Sequence, residues 1–492
     1  METEIAADFE VVIGLEVHSQ LLTKSKMFCS CSTNYAYAAP NTHVCPICMG
    51  MPGVLPVINE QAMAYTIMTA LALNCEIPEY SKFDRKNYPY PDLMKGYQIS
   101  QYDIPLSKNG YLTIDHDSQI KRIGITRVHL EEDTARLLHH EGYSLVDINR
   151  SGTPLMEIVS EPDLRSPEEA RLYMQKLREI LVYLGVSSGR MEEGSLRCDA
   201  NISIRPRGQQ ELGVKTEIKN MNSFRSVERA LTFEAQRQIE LLETGQSIHQ
   251  ETRGWVETRG VTVPQRSKEY AHDYRYFPEP DLPPLFISRA WVEELRSQLP
   301  ELPDARRARY VVEFGLSTQD ANVLTEDKAL GDYFEQVLAV SHTSDLKARA
   351  KAAANLVLND VVRLLKTNSI SVHESPLSPT ASANLLDLLD KERITGKQAK
   401  EVLEEAFASG KMPDAIVKEK GIEPPISDRS ALERIIEEVI ANNSKAASDY
   451  RAGKTNALDR LIGQVMKQTR GQAKADSVRT ILIAKLDETP TS

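Results

Sequence analysis

The stretch VVIGLEVHSQ, from Val11 to Gln20, alternates apolar and polar side chains. Successive side chains of a β-strand point to opposite faces, so this pattern predicts a strand with one buried face and one polar face. The apolar face carries Val11, Ile13, Leu15 and Val17, and the polar face carries Glu16, His18 and Gln20. In a single strand, such a polar face is more typical of ordinary solvent exposure than of a binding site.

The same alternation returns in four later segments: Ile125–Glu131, Leu155–Glu161, Leu196–Arg205 and Val214–Lys219. Each segment adds acids, amides or cations to a polar face, including Glu131, Glu157, Asn201 and Lys219. The recurrence predicts a sheet with one face in the core and the other furnished with charged groups. A magnesium–nucleotide site explains these acids, amides and cations better than simple exposure to solvent does, because Mg²⁺ takes carboxylate ligands and works together with phosphate groups.

Length and composition predict a globular protein of two or three domains, since a single core seldom grows past about 300 residues. The 492 residues are 41% apolar and 26% charged, with a net charge of −11. The N-terminus, METEIAADFE, lacks the order of a signal peptide, and the run Ala62–Leu73 is too short to span a bilayer. We therefore expect a cytoplasmic protein with no membrane segment.

Four of the six cysteines are clustered: Cys29 and Cys31 form a C-x-C pair, Cys45 and Cys48 form a C-x-x-C pair, and 13 residues separate the two pairs. Two such pairs joined by a loop predict a closed tetrahedral thiolate site, typical of structural Zn²⁺. The alternative is four reduced thiols without metal. His43 lies beside the second pair and is a weaker candidate ligand. Cys75 and Cys198 stand alone, and we expect them to pack as small apolar residues.

Helix signals flank the strands. Glu60–Leu73 reads as a helix, Ser166 and Pro167 begin another that Gly185 ends, and Ser223–Leu242 is a third. Between them lies SKFDRKNYPYPD, rich in Tyr, Pro and basic residues and without a sustained period, which is typical of a functional loop. Lys86 and Asn87 in this loop are candidate phosphate contacts, and a solvated lysine is the equal alternative.

The character of the chain changes near residue 295, after which helices without acid-lined strands follow. The sequence predicts domains at 1–295, 296–408 and 409–492. From Lys445 to Lys485 nine Lys or Arg residues face three Asp residues, a local excess of six positive charges in an acidic chain. A basic segment in an acidic chain favours binding of a polyanion through its phosphate groups. The alternative is a pair of charged helices exposed to solvent.

Several motifs together resemble one family: GLEVH, KMFCSCS, CPICMGMPG, KFDRKNYPYPD, GYQISQYD, GTPLMEIVSEPD, EEGSLRCDANIS, KTEIKN, DYRYFPEPDLP and LIGQVMKQTRGQA. They span nearly the whole chain and are similar to the B subunits of the aspartyl/glutamyl-tRNA amidotransferases. The resemblance implies an α+β fold, with a cradle domain whose antiparallel sheet resembles that of glutamine synthetase, then a helical domain and a tail domain that binds tRNA.

The resemblance also implies a reaction and partners. The side-chain carboxylate of Glu on tRNA-Gln, or of Asp on tRNA-Asn, is phosphorylated by ATP. Ammonia released from glutamine by a glutaminase, the A subunit, then displaces the phosphate, and a small C subunit completes the complex. The chain itself carries no evident glutaminase signature, so the amide donor should come through a partner.

Matching the motifs position by position assigns roles to particular residues. Glu132 lies beside Glu131 in the same motif, but alternation turns it to the apolar face unless a bulge intervenes. The four-cysteine site matches the zinc-bearing branch of the family. The resemblance and the strand pattern assign magnesium to Glu16, His18, Glu131 and Glu157, nucleotide contacts to Lys86, Asn201 and Lys219, zinc to Cys29, Cys31, Cys45 and Cys48, and tRNA to Lys454, Lys467, Arg470 and Lys474.

Two rival functions remain open at this point. An independent ATP-dependent ligase for a free small acid would use the same polar sheet, but it has no need of a basic tail. A non-catalytic zinc-bearing RNA-binding module would use the tail, but carboxylates facing an RNA backbone would repel it. Consumption of ATP that depends on a misacylated tRNA separates the three.

Overall fold

The computed structural model describes residues 8–117, 119–265, 274–340, 345–422, 424, 429–452, 454–469, 472–473 and 475–487. The contacts between Cα atoms divide the chain into two compact units, Met1–Pro303 and Asp304–Ser492. The first unit contains every described strand, and the second is built from helices. The α+β fold class is thereby confirmed.

The first unit is organised around an eight-stranded sheet in the order β13-β12-β11-β10-β1-β9-β6-β5. The strand that opens the chain, β1, lies at its centre between β10 and β9. The small sheets β14-β3-β4, β15-β2 and β7-β8 complete the unit. The strands are β1 Phe9–Gln20, β2 Tyr80–Ser81, β3 Asp84–Asn87, β4 Tyr97–Ser100, β5 Ser107–His116, β6 Gln119–Glu132, β7 Arg136–His140, β8 Tyr143–Asp147, β9 Pro154–Ser160, β10 Leu196–Pro206, β11 Thr216–Lys219, β12 Glu251–Val256, β13 Val261–Pro264, β14 Phe277–Pro278 and β15 Leu285–Phe286.

The strand pairs of the large sheet are antiparallel with one exception, because β11 and β12 run parallel. Their connection passes through a long helix, and a crossover of that kind returns the chain in the same direction. A register shift in β6 lies between Ile125 and Arg127. The bulge there changes which alternate residues face the core, from Ile123 and Ile125 before it to Val128 and Leu130 after it.

Three helices cover the apolar face of the sheet: α1 Glu60–Ala72, α2 Pro167–Tyr183 and α3 Phe224–Glu243. Their N-caps are Asn59, Ser166 and Ser223, each of which accepts a hydrogen bond from a backbone N–H of the first turn. The predicted helix starts at Ser166 and Ser223 agree with these caps. Val11, Ile13, Leu15 and Val17 of β1 are all buried in the resulting core, which leaves the opposite face of β1 for polar groups.

A fourth helix, α4 Arg289–Ser297, also belongs to this core, because Val292 and Leu295 are buried in it. The predicted boundary near residue 295 therefore falls inside a packed helix, whereas the contact division falls at Pro303. The last strand, β15, ends at Phe286, before α4 begins. The sequence pattern therefore changes from strands to helices before the first compact unit ends.

The second unit contains two hydrophobic cores, one formed by residues between Tyr310 and Val417 and one between Leu432 and Leu486. Ile416 and Val417 lie in the first of these cores, past the predicted boundary at 408 and 409. Among the described residues, no helix is long and apolar enough to cross a membrane. The helices are α5 Pro303–Val312, α6 Thr318–Glu326, α7 Lys328–Ala339, α8 Leu346–Asn355, α9 Val362–Asn368, α10 Pro379–Asp390, α11 Gly396–Ser409, α12 Pro413–Glu419, α13 Arg429–Asn442, α14 Ser444–Arg451, α15 Asn456–Gln468 and α16 Ala475–Asp487.

Candidate active site and thiolate cluster

Strand register collects the polar residues of the large sheet into rows. One row crosses β6, β9, β1 and β10 and holds His129, Glu157, His18 and Arg197 side by side. The next row holds Arg127, Val159, Glu16 and Asp199 on the same four strands. Residues directly opposite in an antiparallel ladder lie within reach of one another. Side chains more than a hundred positions apart in the chain therefore meet on one face.

The centre of this face is a triad of His18, Glu131 and Glu157. The His18 Nε2 atom lies 3.7 Å from Glu131 Oε1 and 3.5 Å from Glu157 Oε2. One ligand atom from each of the three residues lies within 4.8 Å of the other two. Ser100 on β4 donates a hydrogen bond of 3.1 Å to Glu131 Oε2, which orients that carboxylate. The triad has the geometry of a site for a single cation.

The ionisation of the triad follows from its crowding. Burial disfavours the charged form of His18, but the hydrogen bond to Glu157 and the surrounding carboxylates raise the pKa of His18 to about 9. Burial also disfavours the charged form of Glu157, which for a carboxyl group means a higher pKa. His129 and His18 more than offset this effect and hold the pKa of Glu157 well below its ordinary value. Glu157 therefore stays a carboxylate, and His18 carries a proton when no metal ion is bound; a cation held by the triad would take the place of that proton.

The donor set of the triad fits a magnesium ion that works with phosphate groups. Mg²⁺ in such sites is typically held by one or two carboxylates and keeps its other positions for water and substrate phosphates. Glu131 and Glu157 supply the carboxylates, and three protein ligands leave further positions open. The imidazole of His18 is a ligand more usual for Mn²⁺ or Zn²⁺, so Mn²⁺ also suits this donor set.

Glu16 lies one row away from the triad and is part of a second group of polar side chains. Its Oε1 atom accepts a hydrogen bond of 2.9 Å from Asn201 Nδ2. Burial and the nearby Glu157 raise the pKa of Glu16, which marks a carboxylate that would gain from a cation. Lys219 lies 3.6 Å from Asp199 Oδ2 and 3.5 Å from Glu217 Oε1. The sheet thus brings Asn201 and Lys219 to the same face as Glu16.

Lys86 approaches from β3. Its Nζ atom lies 4.7 Å from the centre of the Tyr274 ring, within cation–π distance. Burial disfavours the charge of Lys86, but Glu131, Glu157 and neighbouring tyrosines raise its pKa above the ordinary value. The lysine is therefore a retained cation close to the acidic residues and not a solvated surface group.

Strand alternation also explains two residues outside the predicted set. His129 was not among the predicted site residues, although it shares a face with Glu131 in the sequence pattern; its Nε2 atom lies 3.2 Å from Glu157 Oε2. Glu132 points the other way, where its Oε1 atom accepts a hydrogen bond of 3.0 Å from the backbone of Ile99. The bulge in β6 lies before Arg127, too early to turn Glu132 toward the triad.

A cavity of about 270 Å³ adjoins Glu16 on the same face. Its apolar wall includes Val12, Leu212 and Pro162, and its polar wall includes Asn201, Ser203 and Lys215. A mainly apolar lining with a few convergent polar groups is characteristic of small-molecule sites. The cavity and the triad lie on neighbouring rows of the sheet, so one extended ligand can reach both.

The four clustered cysteines form a separate site on loops that follow β1. The Sγ atoms of Cys29, Cys31, Cys45 and Cys48 all lie within 4.8 Å of one another. The backbone N–H of Cys45 donates to Cys48 Sγ at 3.1 Å, and a hydrogen bond from Cys29 lowers the pKa of the Cys48 thiol. Four thiolates with no open position fit a structural zinc ion.

Residues near this thiolate cluster take other roles. His43 is not among the clustered ligands, and its Nδ1 atom lies 3.2 Å from the backbone oxygen of Ser32. Cys75 and Cys198 are buried, as expected of small apolar residues. Burial raises the pKa of Cys75 to about 11 and that of Cys198 well above its ordinary value. Neither isolated thiol is set up as a nucleophile.

The predicted tRNA contacts lie in the second unit. Lys454 is exposed and its Nζ atom lies 2.9 Å from Asp449 Oδ1. Lys467, near the end of α15, is also exposed. Arg470 and Lys474 lie outside the described residues. The role of these four residues remains a prediction.

Two family models match this chain: the GatB/GatE catalytic domain over residues 11–293 and the GatB domain over residues 332–486. Curated proteins named as the B subunit of aspartyl/glutamyl-tRNA(Asn/Gln) amidotransferase are similar along nearly their whole length. The chain belongs to this family. The relative from Carboxydothermus hydrogenoformans is 57% identical, covering 97% of this chain and 99% of the relative; that from Moorella thermoacetica is 56% identical, covering 97% and 100%; and that from Thermomicrobium roseum is 53% identical, covering 98% and 99%.

Membership of this family of amidotransferase B subunits confirms the resemblance seen in the sequence motifs. The catalytic-domain match spans nearly the whole of the large sheet and includes both the triad and the thiolate cluster. The match to the GatB domain spans most of the helical second unit. The sheet's polar face is therefore the candidate active site within the catalytic domain of the family.

Proposed function

We propose that this chain is the ATP-using subunit of a tRNA-dependent amidotransferase. It converts the side-chain carboxylate of Glu on tRNA-Gln, or of Asp on tRNA-Asn, into the amide. The observation that carries the proposal is the open triad of His18, Glu131 and Glu157 on a sheet face that also presents Glu16, Asn201 and Lys86. Its place is the cytoplasm, where tRNA is charged.

The reaction has two steps. First, an oxygen of the substrate carboxylate attacks the γ-phosphorus of ATP, the bond to the bridging oxygen breaks, and ADP leaves with that oxygen. Second, ammonia attacks the acyl carbon, phosphate leaves with the carbon–oxygen electron pair, and the nitrogen loses a proton. A free carboxylate resists ammonia because it is negatively charged, whereas an acyl phosphate carries a good leaving group. The chain therefore has to hold the substrate carboxylate and the triphosphate of ATP, both of them anions, in contact with each other.

The residues divide that work. The cavity beside Glu16 takes the nucleoside half of ATP, with Val12 and Leu212 against the base and Asn201 and Ser203 toward the sugar. The triphosphate then extends toward the triad. His18, Glu131 and Glu157 would hold Mg²⁺, which would neutralise phosphate charge during phosphoryl transfer. Lys86 remains protonated and approaches from β3, where it can meet a phosphate or carboxylate oxygen.

The two isolated cysteines are buried, and burial raises the pKa of each thiol, so neither is set up as a nucleophile that releases ammonia from glutamine. We assign the production of ammonia to a glutaminase partner, the A subunit, with the small C subunit completing the complex. The thiolate cluster would hold structural Zn²⁺, and the exposed Lys454 and Lys467 would contribute to a tRNA-binding tail together with Arg470 and Lys474.

The test is ATP turnover by the assembled complex in the presence of Glu-tRNA-Gln, uncharged tRNA or free glutamate. Hydroxylamine traps an acyl phosphate as a hydroxamate, and the amino acid on the tRNA is followed in parallel. We expect ATP consumption, trapping and conversion to Gln-tRNA only with the misacylated tRNA. Turnover with free glutamate alone would favour an independent ligase. Binding of tRNA with no change in ATP or in the aminoacyl group would favour a binding module.

A further inference from the structure

Arg197 lies beside the triad but outside its ligand set. Its position on β10 is directly opposite His18 on β1, in the row that also contains Glu157. The side chain is about one-third exposed, so one side of it faces the open polar surface. Its Nε atom is buried and has no hydrogen-bond partner among the described residues. A guanidinium group with an unused donor thus borders the reacting centre.

The orientation of Arg197 is set by Asp133, a carboxylate that is almost wholly buried just after β6. Asp133 Oδ2 accepts a hydrogen bond of 2.6 Å from Arg197 Nη2 and one of 2.7 Å from Gln20 Nε2. Its other oxygen, Oδ1, lies 3.7 Å from Arg150 Nε. One carboxylate therefore faces two guanidinium groups, and its hydrogen bond to Arg197 Nη2 fixes the position of that side chain beside the triad.

The arrangement is tied to the loop that carries the thiolates. Tyr35 lies between Cys31 and Cys45 in the sequence, and its hydroxyl lies 3.1 Å from Gln20 Nε2, the same amide that donates to Asp133. A continuous set of hydrogen bonds thus runs from the thiolate loop through Tyr35, Gln20 and Asp133 to Arg197. The loop that carries the thiolates is thereby connected to the polar face of the sheet.

An arginine held by one end of its planar fork is suited to recognise an oxyanion with the other end. The guanidinium group is charged at all working pH values, and its fixed N–H donors match the geometry of carboxylate and phosphate oxygens. About one-third of the Arg197 side chain stays exposed beside its contact with Asp133, which leaves that part of the guanidinium group open to an incoming oxygen. His18 and Glu157 lie on the other side of Arg197 in the same row.

We propose that Arg197 binds the reacting oxyanion of the amidotransferase and that Asp133 is the residue that positions it, braced by Gln20 and Tyr35. The inference rests on the proposed function and adds a substrate contact to it. The oxyanion is either a γ-phosphoryl oxygen of ATP or the side-chain carboxylate of the aminoacyl-tRNA. Both offer the same chemistry to a guanidinium group, so the experiment separates them by the substrate whose binding changes.

The first experiment compares Arg197→Ala and Arg197→Lys with Arg205→Ala in the assembled complex. Arg205 lies on the same strand and face, but it pairs with Glu10 far from the triad. With ammonium chloride as nitrogen donor, we expect kcat/KM of Arg197→Ala to fall by about 100-fold or more, as on loss of one donor to a developing oxyanion. Arg197→Lys should recover little, because a lysine lacks the fork, and Arg205→Ala should stay within about twofold of the unmodified complex.

Measurements of substrate affinity identify which oxyanion Arg197 binds. A weaker affinity of Arg197→Ala for a non-hydrolysable ATP analogue, with an unchanged KM for Glu-tRNA, assigns the phosphoryl group. A raised KM for Glu-tRNA with unchanged nucleotide affinity assigns the carboxylate. Added guanidinium should partly restore the turnover of Arg197→Ala, a rescue that a purely structural defect would not show.

Asp133→Asn tests positioning, since the amide keeps the shape of the side chain but loses its charge. We expect a smaller loss of kcat than in Arg197→Ala, with unchanged zinc content. If Arg197→Ala does not fold, Arg197→Lys carries the same test. Turnover of a folded Arg197 variant within about threefold of the unmodified complex overturns the inference. An inactive unmodified complex would overturn the proposed function instead, so the two failures are distinct.

Discussion

The two metal-capable clusters of this chain are built in opposite ways. The thiolate cluster gathers four identical ligands from positions 29 to 48, on loops, with every coordination position supplied by the protein. The triad gathers an imidazole and two carboxylates from positions 18, 131 and 157, on three neighbouring strands, and leaves positions open. The first arrangement suits a scaffold, and the second suits an ion that must also contact substrate.

The difference teaches how each kind of site is recorded in a sequence. A loop-borne cluster appears as local spacing, because its ligands are close along the chain. A sheet-borne cluster appears as alternation within separate strands, and its ligands meet only after the strands have paired in the correct register. The following experiments break one cluster at a time.

The largest effect is expected from Cys45→Ser, which removes one of the four thiolates. Because zinc binding contributes directly to folding free energy, loss of the ion should cost the first unit several kcal/mol. For a domain of this size that corresponds to a fall in melting temperature on the order of 10 °C. Metal content by elemental analysis and thermal unfolding measure the two consequences.

His43→Ala is the matched control for that experiment. Its imidazole lies beside the cluster but contacts the backbone of Ser32, so zinc content should stay at one ion per chain. Full zinc occupancy in Cys45→Ser would refute the proposed four-thiolate site. Loss of zinc in His43→Ala would instead add His43 to the ligands.

The next largest effect concerns the acid in the row next to the triad. In Glu16→Gln the neutral amide should reduce acyl phosphate formation by about 100- to 1,000-fold, since a preorganised charge at the reacting centre is lost. Zinc content, melting temperature and tRNA affinity should stay close to those of the unmodified chain. Hydroxamate trapping measures the first quantity, and filter binding of labelled tRNA the last.

Glu10→Gln is the control for Glu16→Gln, because Glu10 lies on the same strand but pairs with Arg205, away from the triad. Its phosphorylation rate should be nearly unchanged. Weakened tRNA binding with a normal phosphorylation rate in Glu16→Gln would contradict the assignment of this face to ATP chemistry.

The sequence predicted the residues of the thiolate cluster more completely than those of the polar face around the triad. The spacing of Cys29, Cys31, Cys45 and Cys48 was enough to predict the four thiols that the structure brings within 4.8 Å of one another. Alternation predicted the faces of Glu16, His18, Glu131 and Glu157, and it also turned Glu132 away correctly. The cap at Ser166 and the helix start at Ser223 followed from local signals, and the α+β class from the family resemblance.

The remainder depends on register, which no single strand encodes. His129 meets Glu157 only because β6 and β9 pair with a bulge before Arg127. Arg197 comes beside His18, and Asp133 reaches Arg197, through pairings of β10 with β1 and the turn after β6. The parallel pairing of β11 with β12 likewise required the crossover through α3. The end of the first compact unit at Pro303 depended on the packing of α4, which strand alternation does not report.

The smallest effect is expected far from both clusters in the sequence, at Lys467 in the basic part of the second unit. Its ammonium group is exposed near the end of α15, so removal should weaken tRNA binding through the loss of about one phosphate contact. We expect the Kd of Lys467→Ala to rise roughly threefold and the salt dependence of binding to become shallower by somewhat less than one unit. Lys411→Ala is the control, because Lys411 is exposed and pairs with Glu419 outside the basic segment.

Zinc content and the phosphorylation rate at saturating tRNA should not change in either variant, since an exposed phosphate contact adds affinity without touching the reacting groups. A fall in that saturated rate would mean that the tail sets the position of the aminoacyl end at the triad, and the division between a binding tail and a catalytic sheet would then no longer hold.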